Sequence, residues 1–217
     1  MLSGALKICG VTREEDVATC RGAGVEAIGL NFWRGSKRFV SRAQAQRLCE
    51  AAHRPGDTPP LKVVGVFVDH EPHEVQQIAK AVQLDYVQPH GDGPPEPVAA
   101  LGIPWNWVVR GTPDLAHLQA PRPPPSWVLL DAHVPNYGGE GARTDWVWAA
   151  SAVRTLAPTP VWLAGGITPS NAMEAKAVVG AAGLDVASGA EVSGVRDGTK
   201  DAARIARLAR ICHNPSS

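Results

Sequence analysis

The sequence predicts an α/β fold in which eight strand–helix units close into a single-domain (β/α)8 TIM barrel. Short apolar runs alternate with longer segments of helical periodicity from one end of the chain to the other. Several runs, such as VVGVFV, are β-branched and apolar on both faces, which is typical of a buried parallel sheet. An open doubly wound sheet is the rival architecture, but no GxGxxG motif follows the first predicted strand.

Eight apolar runs have the length and composition of strands. They lie at residues 5–9, 25–32, 61–68, 84–88, 103–109, 127–131, 161–164 and 184–188. Eight units in 217 residues place the barrel at the compact end of its size range. We therefore expect one domain over residues 1–217, with a frayed tail at 213–217.

Helical periodicity fills the segments between the strands. The predicted helices cover residues 13–23, 42–52, 74–82, 96–101, 114–118, 146–156, 170–179 and 200–211. Thr12, Ser41 and Ser170 stand where a hydroxyl oxygen can accept hydrogen bonds from the free amides of a first helical turn. Gly22 and Gly24 bracket the end of the first helix, where a left-handed conformation is common.

Composition and charge argue against several classes of protein. The 21 basic and 21 acidic side chains cancel, so no basic surface for nucleic acid is indicated. The chain opens without the basic and apolar regions of an export signal, and its apolar runs are shorter than a membrane span requires. The four cysteines are scattered and lack the spacing of a zinc site. We expect a cytoplasmic protein with reduced thiols, no metal and no contact with membranes.

The carboxyl ends of the strands are where the active sites of such barrels assemble. Six of the eight predicted strands lead into polar residues or glycines there, at Cys9, the segment GSKR ending in Arg38, His90, Asp131, the pair Gly165 and Gly166, and the pair Ser188 and Gly189. The loops after the last two strands commonly hold a phosphate, and glycines there leave the backbone amides bare. Each pair could instead serve only to make a tight turn.

Asp131 and Cys9 are the candidate acid and base. Asp131 closes the apolar run WVLLD, and an apolar setting favours the protonated carboxyl that a general acid needs. It could instead be a carboxylate held by loop amides. Cys9 ends the first strand, where nearby cations would favour its thiolate, although a lone cysteine is more often a small buried hydrophobe. Lys7 and the other three cysteines are interpreted as packing residues.

Arg38 and His90 each have two interpretations. An arginine is suited to bidentate capture of a carboxylate or phosphate, but Arg38 could equally belong to a solvated basic loop. His90, as a lone histidine, is interpreted first as a structural hydrogen-bonding residue.

The segments KICGVT, GSKRFVS, VQPHGD, LLDAHVPNYGGEGARTDW, LAGGITPSN and LDVASGAE together resemble the phosphoribosylanthranilate isomerase family of tryptophan biosynthesis. The resemblance runs through almost the whole chain in the same order. It implies an Amadori rearrangement of N-(5′-phosphoribosyl)anthranilate, a small-molecule substrate, with no cofactor, in a monomer or homodimer. It makes Asp131 the general acid and Cys9 the general base.

The resemblance also assigns binding residues. Arg38 would bind the anthranilate carboxylate, His90 and Asp185 would lie near the ligand, and the two glycine-containing loops would hold the phosphate. Three positions depart from the family pattern: Pro89 precedes His90 where the family usually has leucine, Trp107 lies near a place where it often has lysine, and Glu140 replaces a small hydroxyl residue. Arg110 is a possible substitute for that lysine.

Two other functions are compatible with parts of this pattern. Another phosphate-binding barrel enzyme, such as indole-glycerol-phosphate synthase or thiamine-phosphate synthase, would share the phosphate loops, but the chain lacks lysines directly after its third, fifth or eighth strand. A non-catalytic sugar-phosphate sensor would share the loops without needing both Cys9 and Asp131.

Overall fold

The computed structural model describes residues 5–56, 58–132, 143–195 and 197–213. Eight parallel strands form one sheet in the order β4-β3-β2-β1-β8-β7-β6-β5. The strands are β1 (Ala5–Cys9), β2 (Ala27–Asn31), β3 (Lys62–Phe67), β4 (Tyr86–Pro89), β5 (Trp107–Arg110), β6 (Val128–Asp131), β7 (Val161–Leu163) and β8 (Gly183–Val186). The predicted TIM barrel is thereby confirmed.

The two ends of the chain meet in the sheet, since β1 pairs in parallel with both β2 and β8. The remaining seam lies between β4 and β5, where Val87 and Trp105 form an isolated parallel bridge. The Val87 amide donates to the Pro104 carbonyl at 2.9 Å, and the Asn106 amide donates to the Val87 carbonyl at 3.2 Å. The barrel is therefore nearly closed, with its weakest seam opposite β1.

Helices cover the outside of the sheet. They are α1 (Glu14–Gly22), α2 (Arg42–His53), α3 (Pro72–Val82), α4 (Glu96–Ala99), α5 (Trp146–Thr155), α6 (Ala172–Val179) and α7 (Ala202–His213). The predicted helix at 114–118 is one 3-10 turn at Leu115–His117, and a second such turn, Ser188–Ala190, follows β8. Within the part of the chain that the structure describes, no helix has the length and apolarity needed to cross a membrane.

The prediction of helix ends was only partly right. The Ser41 hydroxyl accepts from the Gln44 amide as expected. Thr12 and Ser170 are not caps: α1 begins after Arg13, whose side chain pairs with Asp16, and α6 begins after Asn171. Each of these helices thus begins one residue later than the predicted cap implies, and neither Arg13 nor Asn171 makes a side-chain cap hydrogen bond.

The exit of the first helix is as predicted at Gly24, whereas the end of the chain differs from the prediction at His213. Gly24 has the expected positive φ, at +74°. His213 was assigned to the frayed tail, but it is the last residue of α7, and its Nε2 lies 3.0 Å from Glu26 Oε1. The rest of that tail lies outside the described residues.

The interior of the barrel changes from apolar to polar along the strands. Near their amino ends it is filled by aromatic rings: Trp127 stacks on Trp162 with ring centroids 4.9 Å apart, and Tyr86 packs edge-on against Trp127. Because alternate residues of a strand face the same side, the next inward positions are Lys7, Gln88 and Asp185. The side chains of Lys7, Gln88 and Asp185 are all buried. The aromatic layer thus lies beneath a polar site.

Candidate active site

Inward-facing side chains from β1, β4, β6 and β8 meet at the carboxyl ends of the strands. Cys9 is the last residue of β1 and Asp131 the last residue of β6, while Asp185 lies in β8. His90 follows β4 directly, and its amide donates to the Phe67 carbonyl at 2.7 Å, so Pro89 does not prevent the loop from attaching to β3. These four predicted site residues are therefore brought to one end of the barrel.

Asp131 is half-buried and has a defined hydrogen-bond environment. Its Oδ1 accepts from the Ala132 amide at 2.9 Å, and its Oδ2 lies 3.3 Å from His90 Nε2. His90 Nδ1 lies 3.0 Å from the side-chain nitrogen of Gln88. Because an amide nitrogen donates, Nδ1 accepts, and the proton of neutral His90 lies on Nε2, facing Asp131. His90 is thus oriented toward the carboxyl group rather than away from it.

Lys7 is the ammonium group at the centre of this arrangement, although the sequence interpretation made it a packing residue. It is fully buried, and its Nζ donates to Asp185 Oδ2 at 2.6 Å and to Gln88 Oε1 at 3.3 Å. Although burial lowers the pKa of Lys7, the nearby Asp185 and Cys9 raise it, so the side chain remains charged. The signal that could have revealed it is its position two residues before Cys9, which places both on the same face of β1.

The Cys9 thiol is half-buried and lies against β2. A Cβ at Gly29, the residue paired with Cys9 across the ladder, would lie 2.8 Å from Sγ and 3.1 Å from the Lys7 Cε. Side-chain carbons do not normally approach that closely, so Gly29 leaves the space in which the thiol and the lysine lie. Sequence reasoning did not identify Gly29.

The pKa of Cys9 does not follow the sequence expectation. Burial raises the pKa of the thiol, and the positive charges of Lys7, Lys200 and Arg38 lower it without compensating fully. The negative charge of Asp185 acts with burial to raise it. The expectation that the nearby cations lower the pKa of Cys9 was therefore wrong, because desolvation of the thiolate is the larger effect.

Arg38 is buried and held by an acidic residue that the sequence interpretation did not consider. Its Nε donates to Glu191 Oε1 at 2.5 Å, while its Nη2 is buried without a hydrogen-bond partner among the described residues. Lys37 Nζ lies 2.8 Å from Glu191 Oε2. Although burial acts to raise the pKa of Glu191, the Arg38 and Lys37 hydrogen bonds and the charge of Lys200 lower it to about 2. Arg38 therefore does not belong to a solvated loop.

The two glycine-containing loops lie in contact with each other. Gly165 and Gly166 have φ values of +80° and +66°. A Cβ at Gly189 would lie 1.9 Å from the Ile167 carbonyl oxygen, which shows how closely the loop after β8 approaches the loop after β7. Steric and conformational requirements therefore explain these glycines, as the tight-turn interpretation holds.

Asn171 gives the loop after β7 its shape. Its side-chain oxygen accepts from the Thr168 amide at 2.8 Å, and its side-chain nitrogen donates to the Gly166 carbonyl at 2.9 Å. The two bonds close the segment 166–171 into a compact turn. Sequence reasoning did not identify Asn171; it expected the neighbouring Ser170 to cap the helix.

The positions that depart from the family pattern fall in different places. Trp107 packs against the outer core between sheet and helices, so it does not face the site. Arg110 ends β5 in register with Asp131 and forms an ion pair with Asp92 at 2.5 Å, so this cation lies at the rim of the site. Glu140 lies outside the described residues.

No group of three or more His, Cys, Asp or Glu side chains within residues 5–56, 58–132, 143–195 and 197–213 has the arrangement of a metal site. All four cysteines are free thiols.

The fold and the site define a TIM-barrel protein with a thiol, a carboxyl group and a buried arginine at the carboxyl ends of its strands. Residues 6–207 match the family model described as N-(5'phosphoribosyl)anthranilate (PRA) isomerase. The N-(5'-phosphoribosyl)anthranilate isomerase of Thiobacillus denitrificans is 38% identical over 207 residues, covering 94% of this chain and 95% of the relative. The chain belongs to the phosphoribosylanthranilate isomerase family.

Solved structures agree with this assignment. The phosphoribosyl anthranilate isomerase of Thermus thermophilus superposes with a TM-score of 0.79 at 32% identity, covering 94% of this chain and 96% of that one. A member of the family in complex with reduced 1-(o-carboxyphenylamino)-1-deoxyribulose 5-phosphate has a TM-score of 0.76 at 27% identity, with 96% and 98% covered. Monomers generated from the dimeric Thermotoga maritima enzyme have a TM-score of 0.78 at 28% identity, with 97% and 98% covered.

Proposed function

We propose that this chain is an enzyme of tryptophan biosynthesis that isomerises N-(5′-phosphoribosyl)anthranilate to 1-(2-carboxyphenylamino)-1-deoxyribulose 5-phosphate. The observation that carries the proposal is the convergence of Cys9 and Asp131 at one end of a barrel whose sequence matches the isomerase family from residue 6 to residue 207. The reaction is an internal redox change between two sugar carbons, so proton transfers suffice and no cofactor is required.

Asp131 is assigned the first step. Its carboxyl group donates a proton to the furanose ring oxygen, the bond between that oxygen and the anomeric carbon breaks, and the anthranilate nitrogen lone pair forms a Schiff base. The carboxylate that remains is stabilised by the hydrogen bond from the Ala132 amide at 2.9 Å, and His90 Nε2 lies 3.3 Å from its other oxygen. The amide donor is already in place before the transfer, which is the arrangement that lowers the cost of developing charge.

Cys9 is assigned the second step. Its thiolate removes the proton from the sugar carbon next to the Schiff base, and the electrons move to the nitrogen to give an enolamine, which tautomerises to the ketone. Burial makes the thiolate scarcer but also a stronger base, and Lys7 favours its formation. A general acid and a general base each typically contribute about 10² to 10⁴ in rate.

The remaining predicted residues are assigned to binding. The Nη2 of Arg38, which is buried and has no hydrogen-bond partner among the described residues, is suited to the substrate carboxylate, because an arginine can donate to a carboxylate from more than one nitrogen. The backbone at Gly165, Gly166, Ser188 and Gly189 is assigned to the phosphate. Asp185 and His90 are assigned to the sugar, with His90 also supporting Asp131.

The cellular setting and the assembly are part of the proposal. The biosynthetic role of the family favours a cytoplasmic location. A monomer or a homodimer is proposed, since the Thermotoga maritima relative is described as dimeric and as yielding monomers.

The direct test is the loss of phosphoribosylanthranilate fluorescence on addition of the purified chain. The proposal predicts enzyme-dependent loss of the signal and formation of the carboxyphenylamino-deoxyribulose phosphate, identified by mass spectrometry of the reduced product. If the chain binds the sugar phosphate but the fluorescence decays only at the uncatalysed rate, a sensor is the better interpretation.

A further inference from the structure

We infer that Glu191 is a positioning residue for substrate selection: it fixes the Arg38 guanidinium so that its free nitrogen recognises a carboxylate on the aromatic ring. This inference rests on the proposed function, because it takes the anthranilate carboxylate as the group that Arg38 binds. It adds a residue outside the predicted site and states what that residue determines, namely the preference for a carboxylated ligand.

The first observation is how tightly Arg38 is confined. The side chain is 7% exposed. A Cβ at Gly10 would lie 2.1 Å from the Arg38 Cδ, and a Cβ at Gly198 would lie 3.0 Å from its Cγ. The aliphatic stem is therefore enclosed between the loop after β1 and the loop after β8, and only the guanidinium retains choices of orientation.

The second observation is that Glu191 removes those choices. Its Oε1 accepts from Arg38 Nε at 2.5 Å, which leaves the two terminal nitrogens for other partners. One of them, Nη2, is buried and has no partner within the described residues. A buried donor left unpaired costs free energy, and a ligand acceptor would recover it.

The third observation is that Glu191 is itself anchored from a different direction. Lys200 Nζ lies 3.3 Å from Glu191 Oε1, and the same Nζ donates to the Cys9 carbonyl at 2.7 Å and to the Ala187 carbonyl at 3.2 Å. The carboxylate that orients Arg38 is thus connected to the ends of β1 and β8. This arrangement holds the carboxylate-binding nitrogen in a constant position relative to Cys9.

The alternative is that Glu191 only neutralises a positive cluster made by Lys37, Arg38 and Lys200. The two roles depend on different properties of the side chain. Positioning requires an oxygen at the right distance from Nε, whereas neutralisation requires a negative charge. Glu191→Gln keeps the length without the charge, and Glu191→Asp keeps the charge but is one methylene shorter.

The experiment measures two affinities for each protein by titration calorimetry. One ligand is reduced 1-(2-carboxyphenylamino)-1-deoxyribulose 5-phosphate, and the other is the same compound without the ring carboxyl group. Wild type should prefer the carboxylated ligand by about tenfold to a hundredfold, the usual effect of a hydrogen bond to a charged group. Glu191→Asp should lose most of that ratio, and Glu191→Gln should keep it to within about threefold.

Two controls keep the result interpretable. Glu50→Gln, on the exposed face of α2, removes a carboxylate far from the cluster and should leave both affinities unchanged. The affinity for the ligand without the carboxyl group reports on the phosphate site and should be unchanged in both Glu191 variants, which also shows that they are folded.

Three results would overturn the inference. A wild-type ratio in Glu191→Asp would show that the distance to Nε is unimportant. A ratio that changes in Glu191→Gln but not in Glu191→Asp would show that only charge matters. No preference in wild type would contradict the assignment of Arg38 to the carboxylate, and the fluorescence assay would then decide separately whether the proposed reaction survives.

Discussion

At the scale of single residues, the chemistry of the site depends on which side chains share an inward face of a strand. Lys7 and Cys9 are two residues apart on β1, so both face the barrel interior, and Gly29 on β2 leaves space for them. The buried ion pair between Lys7 and Asp185 is weak evidence for stability, because desolvation offsets much of its attraction. The location of this ion pair beside Cys9, the candidate base, favours a role in catalysis.

Cys9→Ala and Asp131→Asn should each lower kcat by about 10² to 10⁴, because each removes one partner of the acid–base pair. The fluorescence assay measures the rate, and titration with the reduced product analogue measures binding. Binding should remain within about threefold of wild type, since the assigned phosphate and carboxylate contacts are elsewhere. A variant with near-normal kcat would show that its residue does not carry the assigned step.

Lys7→Met should slow alkylation of Cys9 at a given pH. The Lys7 ammonium favours the thiolate, so its loss raises the pKa of Cys9 further and moves the alkylation profile toward higher pH. Iodoacetamide labelling followed by mass spectrometry measures this at Cys9 itself. Cys20, Cys49 and Cys212 are buried, and burial raises their pKa values to about 12, 12 and 11, so they should react little.

Lys62→Met is the matched control for this measurement, because Lys62 lies on β3 with an exposed side chain paired to Asp85. Its profile should coincide with wild type. Equal profiles for Lys7→Met and Lys62→Met would show that Lys7 does not act on the thiol.

At the scale of secondary-structure elements, the loop between β7 and α6 both leads into the helix and forms part of the proposed phosphate site. Asn171 closes the loop with two side-chain hydrogen bonds, at 2.8 and 2.9 Å, and it is also the residue that precedes the helix. The conformation of the proposed phosphate site therefore depends on one polar side chain that does not itself need to touch the ligand.

Asn171→Ala should raise KM by roughly fivefold to thirtyfold and leave kcat nearly unchanged. Loss of the two bonds loosens the backbone that binds phosphate, at a cost of about 1 to 2 kcal/mol. Ser170→Ala is the control, since the Ser170 hydroxyl contacts only the Thr168 hydroxyl among its described hydrogen bonds. A fall in kcat without a change in KM would place the effect on chemistry rather than on phosphate binding.

At the scale of the whole molecule, Glu191 connects segments that are far apart in sequence. Its partners Lys37 and Arg38 follow β2, and its partner Lys200 precedes α7 while also holding the carbonyl of Cys9. The buried carboxylate therefore joins three loops at the open end of the barrel. Its charge should contribute to the free energy of unfolding in a pH-dependent way.

Glu191→Gln should lower the free energy of unfolding at neutral pH by about 3 kcal/mol, because the pKa of Glu191 falls from 4.5 to about 2 on folding. A depressed folded-state pKa stabilises the protein above the unfolded value, and the contribution is lost as pH falls through the folded value. The difference from wild type should thus be full above about pH 5 and shrink toward pH 2. Urea unfolding across this range measures it, with Glu50→Gln expected to match wild type; a difference independent of pH would contradict this prediction.

The pattern of the sequence was sufficient to predict most of the architecture and the residues that lie at the strand ends. Short, continuous apolar runs and helical segments of period 3.6 are local properties, so eight strands and their order could be predicted, with errors of a few residues at the ends. The fifth predicted helix was wrong: 114–118 forms one short turn around Leu115–His117, in a connection whose prolines at 113, 121 and 123–125 do not continue a helix. The caps predicted at Thr12 and Ser170 were also wrong, because each helix begins one residue later than they require.

By itself, the sequence determined the parallel barrel and predicted Cys9, His90 and Asp131 at the carboxyl ends of its strands, whereas Asp185 was added only by the family resemblance. The tertiary structure alone decided the contacts that tune them. Lys7 is paired with Asp185, which lies near the other end of the sequence, and Glu191 is paired with Arg38, which lies 153 residues away in sequence. Burial and charge act through distances in space, so the raised pKa of Cys9 and the orientation of Arg38 follow only from the folded arrangement.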